Sequence, residues 1–216
     1  MTLLAGFQGK NCALVASDLM VGHYAPDQLH LPLDQRVATY FISEKFRQLP
    51  NGDYLAFNGA LNFQEERYLY RQTLSQMRSV PLESDQNIRQ NHHPELIYVS
   101  IGDNQLYYRQ LRERIKSFYR GQPIFFMHDQ IRGKELLEMT TSLMERRNGK
   151  YDVMFLEELS RLWENFILSI EQHDNSFGGY SSHIFSQRRI RALSIKIGKL
   201  EGIPELRVSD EGLVAP

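Results

Sequence analysis

Short apolar runs separated by turn-forming residues open the chain. Residues 2–7 (TLLAGF) and 12–17 (CALVAS) flank Gln8, Gly9, Lys10 and Asn11, which predicts a β-hairpin at the very start. Residues 19–40 mix polar and apolar positions, contain Pro26 and Pro32 and follow no period, so a loop-rich insertion is expected over 18–44. Residues 41–48 read as strand, Pro50-Asn51-Gly52-Asp53 as a tight turn and 54–57 as the next strand. Tyr70, Leu74 and Met77 recur at helical spacing and predict an amphipathic helix over 62–77. A polar, proline-bounded loop then covers 80–94, and 95–101 and 105–109 form a second hairpin around Gly102-Asp103-Asn104. One more strand is expected over 124–128, and a helix over 133–147 that stops at Asn148-Gly149. The clearest helix spans 154–172, with Phe155, Leu159, Leu162, Trp163, Phe166, Ile167 and Ile170 along one face. Two final strands follow Gly178-Gly179, at 181–186 and 189–197.

This order of strands, helix, strands, helices and strands predicts an α+β domain whose sheet faces need helical covers. At 216 residues the chain suits one fairly large domain with a substantial core. Its 42% hydrophobic and 24% charged content is ordinary for a globular protein. A net charge of −1 leaves no global footprint for nucleic acid or an anionic membrane. The apolar runs are too short to span a bilayer, and the first residues lack the pattern of a secretory signal. Cys12, the only cysteine, has no internal disulfide partner. These features favour the cytoplasm.

Chemistry is suggested first at Thr2. If Met1 is removed, the new terminus carries a hydroxyl and a free amine on one residue. An α-amine has a reference pKa of roughly 7.7–8.0, so at neutral pH it can act as the base for its own hydroxyl. The plainer reading makes Thr2 the start of an edge strand. Asp18 read alone is a strand-end carboxylate, Lys45 a solvated lysine, and Gly59 a glycine between strand and helix.

Four stretches together argue otherwise: TLLAGFQGKNCALVASD, KFRQLPNGDYLAFNGAL, the helix EELSRLWENFILSIEQHDN, and SFGGYSSHIF. In that order they resemble the proteasome β-subunit family of N-terminal nucleophile hydrolases, covering about a third of the chain. The resemblance implies a four-layer α/β/β/α sandwich of two antiparallel sheets covered by helices. It makes Thr2 the nucleophile, and Asp18 and Lys45 a buried ion pair beside its hydroxyl. Gly59 would offer a backbone N–H to an oxyanion, Asp174 would support the threonine amine, and Phe57 would shape a shallow or apolar specificity pocket. It further implies self-association into a ring-like homo-oligomer, an arrangement that the 11 Tyr and 12 Phe residues would suit.

The chain also departs from the family. Phe177 stands where the family has a serine before the first glycine of the pair, with Ser176 displaced by one. No Gly-Ser-Gly-Ser-like segment precedes the 133–147 helix, and the segment between Asp18 and Lys45 is longer than usual. A divergent bacterial-type relative and a partly decayed active site both fit these departures.

Other chemistries find little support. The seven histidines include no HExxH arrangement, the glycines match no phosphate-binding loop, and Arg188-Arg189-Ile190-Arg191 reads as a solvated strand edge. No cofactor, metal, nucleic acid or membrane partner is therefore expected. The leading expectation is a threonine peptidase or amidase acting on a peptide or small amide. A catalytically silent scaffold of the same fold, or a same-fold transpeptidase, remains open.

Overall fold

Burial on both faces of the first hairpin divides the core in two. Strands β1 (Leu3–Gln8) and β2 (Cys12–Ser17) are buried at every position, which explains their nearly unbroken apolar sequence. Leu3, Ala5, Phe7, Cys12, Leu14 and Ala16 join one core cluster, while Leu4, Ala13 and Val15 join another. The period of two thus sends alternate side chains to opposite layers. The structure, a computed structural model, describes residues 3–28, 30–32, 35, 37–58, 68, 71, 73, 75, 95–110, 113–127, 129–174, 176–186, 189–195, 207–209 and 212–214.

The remaining strands are β3 (Met20–Tyr24), β4 (Ala38–Ile42), β5 (Phe46–Gln48), β6 (Tyr54–Phe57), β7 (Leu96–Ser100), β8 (Gln105–Arg109), β9 (Lys116–Ser117), β10 (Pro123–Met127), β11 (Tyr180–Ser186), β12 (Arg189–Ile195), β13 (Arg207–Ser209) and β14 (Gly212–Val214). They build two five-stranded sheets, ordered β10-β1-β2-β11-β12 and β5-β6-β7-β8-β9, with separate pairs β3-β4 and β13-β14. The named pairings within both large sheets are antiparallel.

Two helices, α1 (Gln130–Arg147) and α2 (Val153–Glu171), pack on one face of the first sheet. Asp129 caps α1 by accepting from the N–H groups of Ile131 and Arg132, and Asp152 caps α2 by accepting from Phe155. Asn148 takes a left-handed conformation that stops α1. Phe155, Leu156, Leu159, Trp163, Phe166, Ile167 and Ile170 bury the inner face of α2. The second sheet covers the other face of the first, through Phe46, Ala56, Ile97, Val99, Leu106 and Phe118. The sheets approach closely at Gly6, where an added Cβ would lie 2.6 Å from the Phe118 ring. Beyond the second sheet, Leu49, Leu55, Phe57, Leu96 and Tyr98 form a further buried cluster. The architecture is α+β: two sheets face to face, with two helices over the first.

Several boundaries differ from those read in the sequence. The 19–40 segment, expected as loop, contributes β3 and then β4, paired in register from Met20↔Ile42 to Tyr24↔Ala38. Helix α1 starts three residues before the predicted Gly133 because Asp129 supplies the cap. The short strands β9, β13 and β14 are additional. Of the predicted 62–77 helix, Tyr68, Arg71, Thr73 and Ser75 are described and helical; its other residues and the 80–94 loop lie outside the described residues. Among the described residues, no helix is long and apolar enough to cross a membrane.

Gln8 bolts the two sheets together at the turn end. Its buried Oε1 accepts the Leu106 N–H at 2.8 Å, and its Nε2 donates to the carbonyls of Cys12 and Asn104 at 3.3 Å. Gln8→Leu leaves those backbone groups without this partner, so an expected loss of about 1–3 kcal/mol should appear in urea unfolding.

Candidate active site

The first sheet brings four segments to one end. Leu3 pairs with Met127, Leu4 with Ser17, and Ser17 with Ser181. Just past β2 the backbone leaves the sheet at Asp18, and the Leu19 N–H donates to Gly178 O at 3.0 Å. The Ser43 N–H donates to Leu19 O at 2.9 Å, tying the β4–β5 connection to the same place. Lys45 immediately precedes β5, and its carbonyl accepts the Phe57 N–H at 3.2 Å.

Asp18 is fully buried at the centre of this meeting point. Its Oδ1 accepts the Leu3 N–H at 2.8 Å and the Lys45 Nζ at 2.7 Å, and its Oδ2 accepts the Met20 N–H at 3.2 Å. Lys45 is 1% exposed. A carboxylate with three donors and an ammonium with a buried anion form a compensated pair rather than two stranded charges. Burial still leaves its mark. It pushes the Asp18 carboxyl above the usual carboxylate range, against the attraction of Lys45 and the Leu3 N–H. It pushes Lys45 below the ordinary lysine value, against the attraction of Asp18 and, more weakly, Glu44. Lys45 therefore gives up its proton more readily than a surface lysine.

Thr2 and Gly59 lie outside the described residues. Covalent geometry alone relates position 2 to the pair, because the N–H that Asp18 accepts belongs to the peptide bond joining residues 2 and 3. Consecutive Cα atoms are about 3.8 Å apart across a trans peptide. Position 2 is thus the immediate chain neighbour of an amide fixed by Asp18.

Asp174 has partners of its own among the described residues. Its Oδ2 accepts from Arg132 at 2.9 Å, and its Oδ1 accepts from the Ser176 N–H at 2.8 Å and hydroxyl at 2.6 Å. Partial burial opposes ionisation, but Ser176 and Arg132 outweigh it and hold the carboxyl below its ordinary value. Phe177 is completely buried in the helix-side core, with the Arg132 guanidinium 5.9 Å from its ring centre. Phe57, expected to shape a specificity pocket, is instead a core residue with Leu49, Leu55 and Leu96.

Residues that the sequence reading passed over also gather beside Lys45. Glu44 Oε1 accepts the Ser181 hydroxyl at 2.8 Å and lies 3.5 Å from His183 Nε2. The His183 ring stacks on Phe46, with centroids 4.0 Å apart and planes 16° apart. The alternate positions 181 and 183 on one strand were the available signal, but their partners lie more than 130 residues earlier. Among the described residues, no group of three or more His, Cys, Asp or Glu side chains is arranged to hold a metal ion.

Comparison with known proteins places the fold. No protein-family model and no curated protein matches the chain by sequence. Among solved structures, a eukaryotic HslV from Trypanosoma brucei superposes with a TM-score of 0.54 at 11% identity, over 85% of this chain and 99% of that one. A Gly-1 mutant of Anbu from Hyphomicrobium sp. strain MC1 gives a TM-score of 0.54 at 11% identity, over 92% of this chain and 88% of that one. These likenesses support a proteasome β-subunit-like fold.

Proposed function

We propose that the chain is a threonine-type N-terminal nucleophile hydrolase, a peptidase or amidase active after removal of Met1. The observation that carries this reading is the buried Asp18–Lys45 pair, whose carboxylate also fixes the Leu3 amide. In the proposed reaction the Thr2 hydroxyl oxygen attacks an amide carbonyl, and its proton passes to the neutral Thr2 amine. The Lys45 ammonium lowers the cost of negative charge on that oxygen, and the Gly59 N–H stabilises the tetrahedral oxyanion. The C–N bond then breaks as the amine leaving group takes the proton. Water attacks the resulting ester, the Thr2 amine again moving the proton, and the carboxylic acid and free hydroxyl are released.

The same proposal makes the chain one domain, with the 62–77 helix as the fourth layer and self-association into a ring-like homo-oligomer. Ile131 at 83% exposure and Met154 at 71% offer apolar contacts on the helical side. A silent scaffold of the same fold is the second reading. It is favoured by Asp174, whose two oxygens are occupied by Arg132 and Ser176, and by Phe177 in the core.

Intact-protein mass spectrometry separates the two readings. The hydrolase predicts a chain lacking Met1 that gains one adduct from a peptidyl epoxyketone, a reagent requiring an amine and a hydroxyl on the same terminal residue. A chain that keeps Met1 in every preparation and stays unlabelled supports the scaffold instead.

A further inference from the structure

Lys45 has a long side chain with many rotamers, yet the proposed chemistry needs its charge at one point. Something must fix the backbone that presents it. The residues on either side of it are both gripped by β11. Glu44 takes a hydrogen bond from the Ser181 hydroxyl, and Phe46 lies flat on the His183 ring. Ser181 and His183 are two apart on one strand, so they project from the same face. Phe185, two further on, also stacks with Phe46, at 6.3 Å between centroids.

The anchoring strand is itself informative. β11 pairs directly with β2, setting Ser181 opposite Ser17, the residue before Asp18. One strand therefore holds Asp18 through backbone pairing and the Lys45 segment through side chains. Ser181 is completely buried, so its hydroxyl needs an acceptor, and Glu44 supplies one. The Glu44 carboxylate is 39% exposed and keeps one side toward solvent.

Resting on the hydrolase reading, we propose that Ser181, His183 and Glu44 form a clamp that positions Lys45 against Asp18. They are positioning residues, acting through Lys45 rather than on substrate. The groups facing Glu44 are Ser181 and His183 from β11, Lys45 beside it and Arg47 on β5. Tyr54 from β6 faces His183, with ring centroids 6.5 Å apart. Although partly buried, Glu44 is held below the ordinary glutamate value by His183, Ser181 and Arg47, so it is anionic at neutral pH. Its attraction for Lys45 raises the pH at which that lysine deprotonates.

Two variants separate positioning and charge from simple stapling. Glu44→Gln keeps an acceptor for Ser181 and removes the charge, whereas Ser181→Ala removes the staple and keeps the charge. The primary readout is a pH titration of the Lys45 side-chain resonances in lysine-labelled protein. The second is the rate of epoxyketone labelling against pH. Glu44→Gln should melt as wild type does, while the Lys45 titration and the alkaline limb of labelling both move to lower pH. Ser181→Ala should label about 10- to 100-fold more slowly, the range expected of a reacting group displaced by about 1 Å. Ser181→Thr, which restores a hydroxyl, should recover part of that loss. Unchanged Lys45 titration in Glu44→Gln, or unchanged labelling in Ser181→Ala, overturns the clamp. If wild-type protein never labels, the hydrolase reading falls by itself. The Lys45 titration in Glu44→Gln then decides the clamp alone, a shift supporting it and no shift overturning it.

Discussion

Lys45→Ala is expected to cost about 3–5 kcal/mol of stability, the usual penalty for stranding one partner of a buried ion pair. Asp18 has no exposure to solvent, so its charge cannot recover hydration when the ammonium is lost. For a chain of this size, 1 kcal/mol moves the melting temperature by roughly 2–4 °C, so a fall of about 6–20 °C should be seen by calorimetry. The pH dependence has a definite sign. Burial already raises the Asp18 carboxyl above the usual range, and removing Lys45 deletes the largest force opposing that rise. A carboxyl with a raised folded value favours folding most below its unfolded value, and the benefit fades as pH climbs through the folded value. The variant should therefore lose stability progressively as pH rises from the acid range. Pairing Asp18→Asn with Lys45→Met removes both charges and keeps an acceptor for the Leu3 N–H. That double variant should regain most of the stability and none of the proposed activity. A single Lys45→Ala as stable as wild type would mean that the pair contributes nothing to the fold.

Much of the fold was legible because local patterns and tertiary demands agree. The nearly unbroken apolar character of 3–8 and 12–17 reflects strands buried on both faces. The 3.6-residue repeat from Phe155 to Ile170 reflects a helix lying on one core. The β3–β4 pair was not legible, because its strands are joined by a proline-containing segment and carry no clean alternation. Their pairing is a nonlocal fact, set where Ser43 is tied to Leu19. The start of α1 was missed because the cap lies outside the apolar period: Asp129 precedes any periodic residue.

Asp18 and Lys45 stand 27 positions apart, and nothing in that interval announces a contact. They could be singled out only through resemblance, and the Glu44–Ser181–His183 grouping was passed over. Ser181 and His183 alternate on one strand, but sequence does not reveal that Glu44 and Phe46 are their partners. Asp174 was singled out by the same resemblance, and sequence alone does not specify its described partners, Arg132 and Ser176.

Thr2→Ala is expected to abolish both turnover of any amide substrate and epoxyketone labelling, with the fold retained. In the proposed mechanism the hydroxyl is the only atom that forms a bond to the substrate, so no neighbouring group can substitute for it. Stability should be nearly unaffected, because the Leu3 amide that donates to the Asp18 carboxylate is left in place by the substitution. Thr2→Ser, which restores a hydroxyl beside the same amine, should recover labelling. Together these variants distinguish chemistry from structure. Loss of labelling with an unchanged melting temperature in Thr2→Ala, and recovery in Thr2→Ser, assign the nucleophile to position 2. Labelling that persists in Thr2→Ala would move the chemistry elsewhere and leave Asp18–Lys45 as a structural pair. The two charges can also be tested from the opposite direction. Asp18→Asn/Lys45→Met should fold with Thr2 intact and still fail to label, because the hydroxyl is present and the ammonium proposed to assist it is gone.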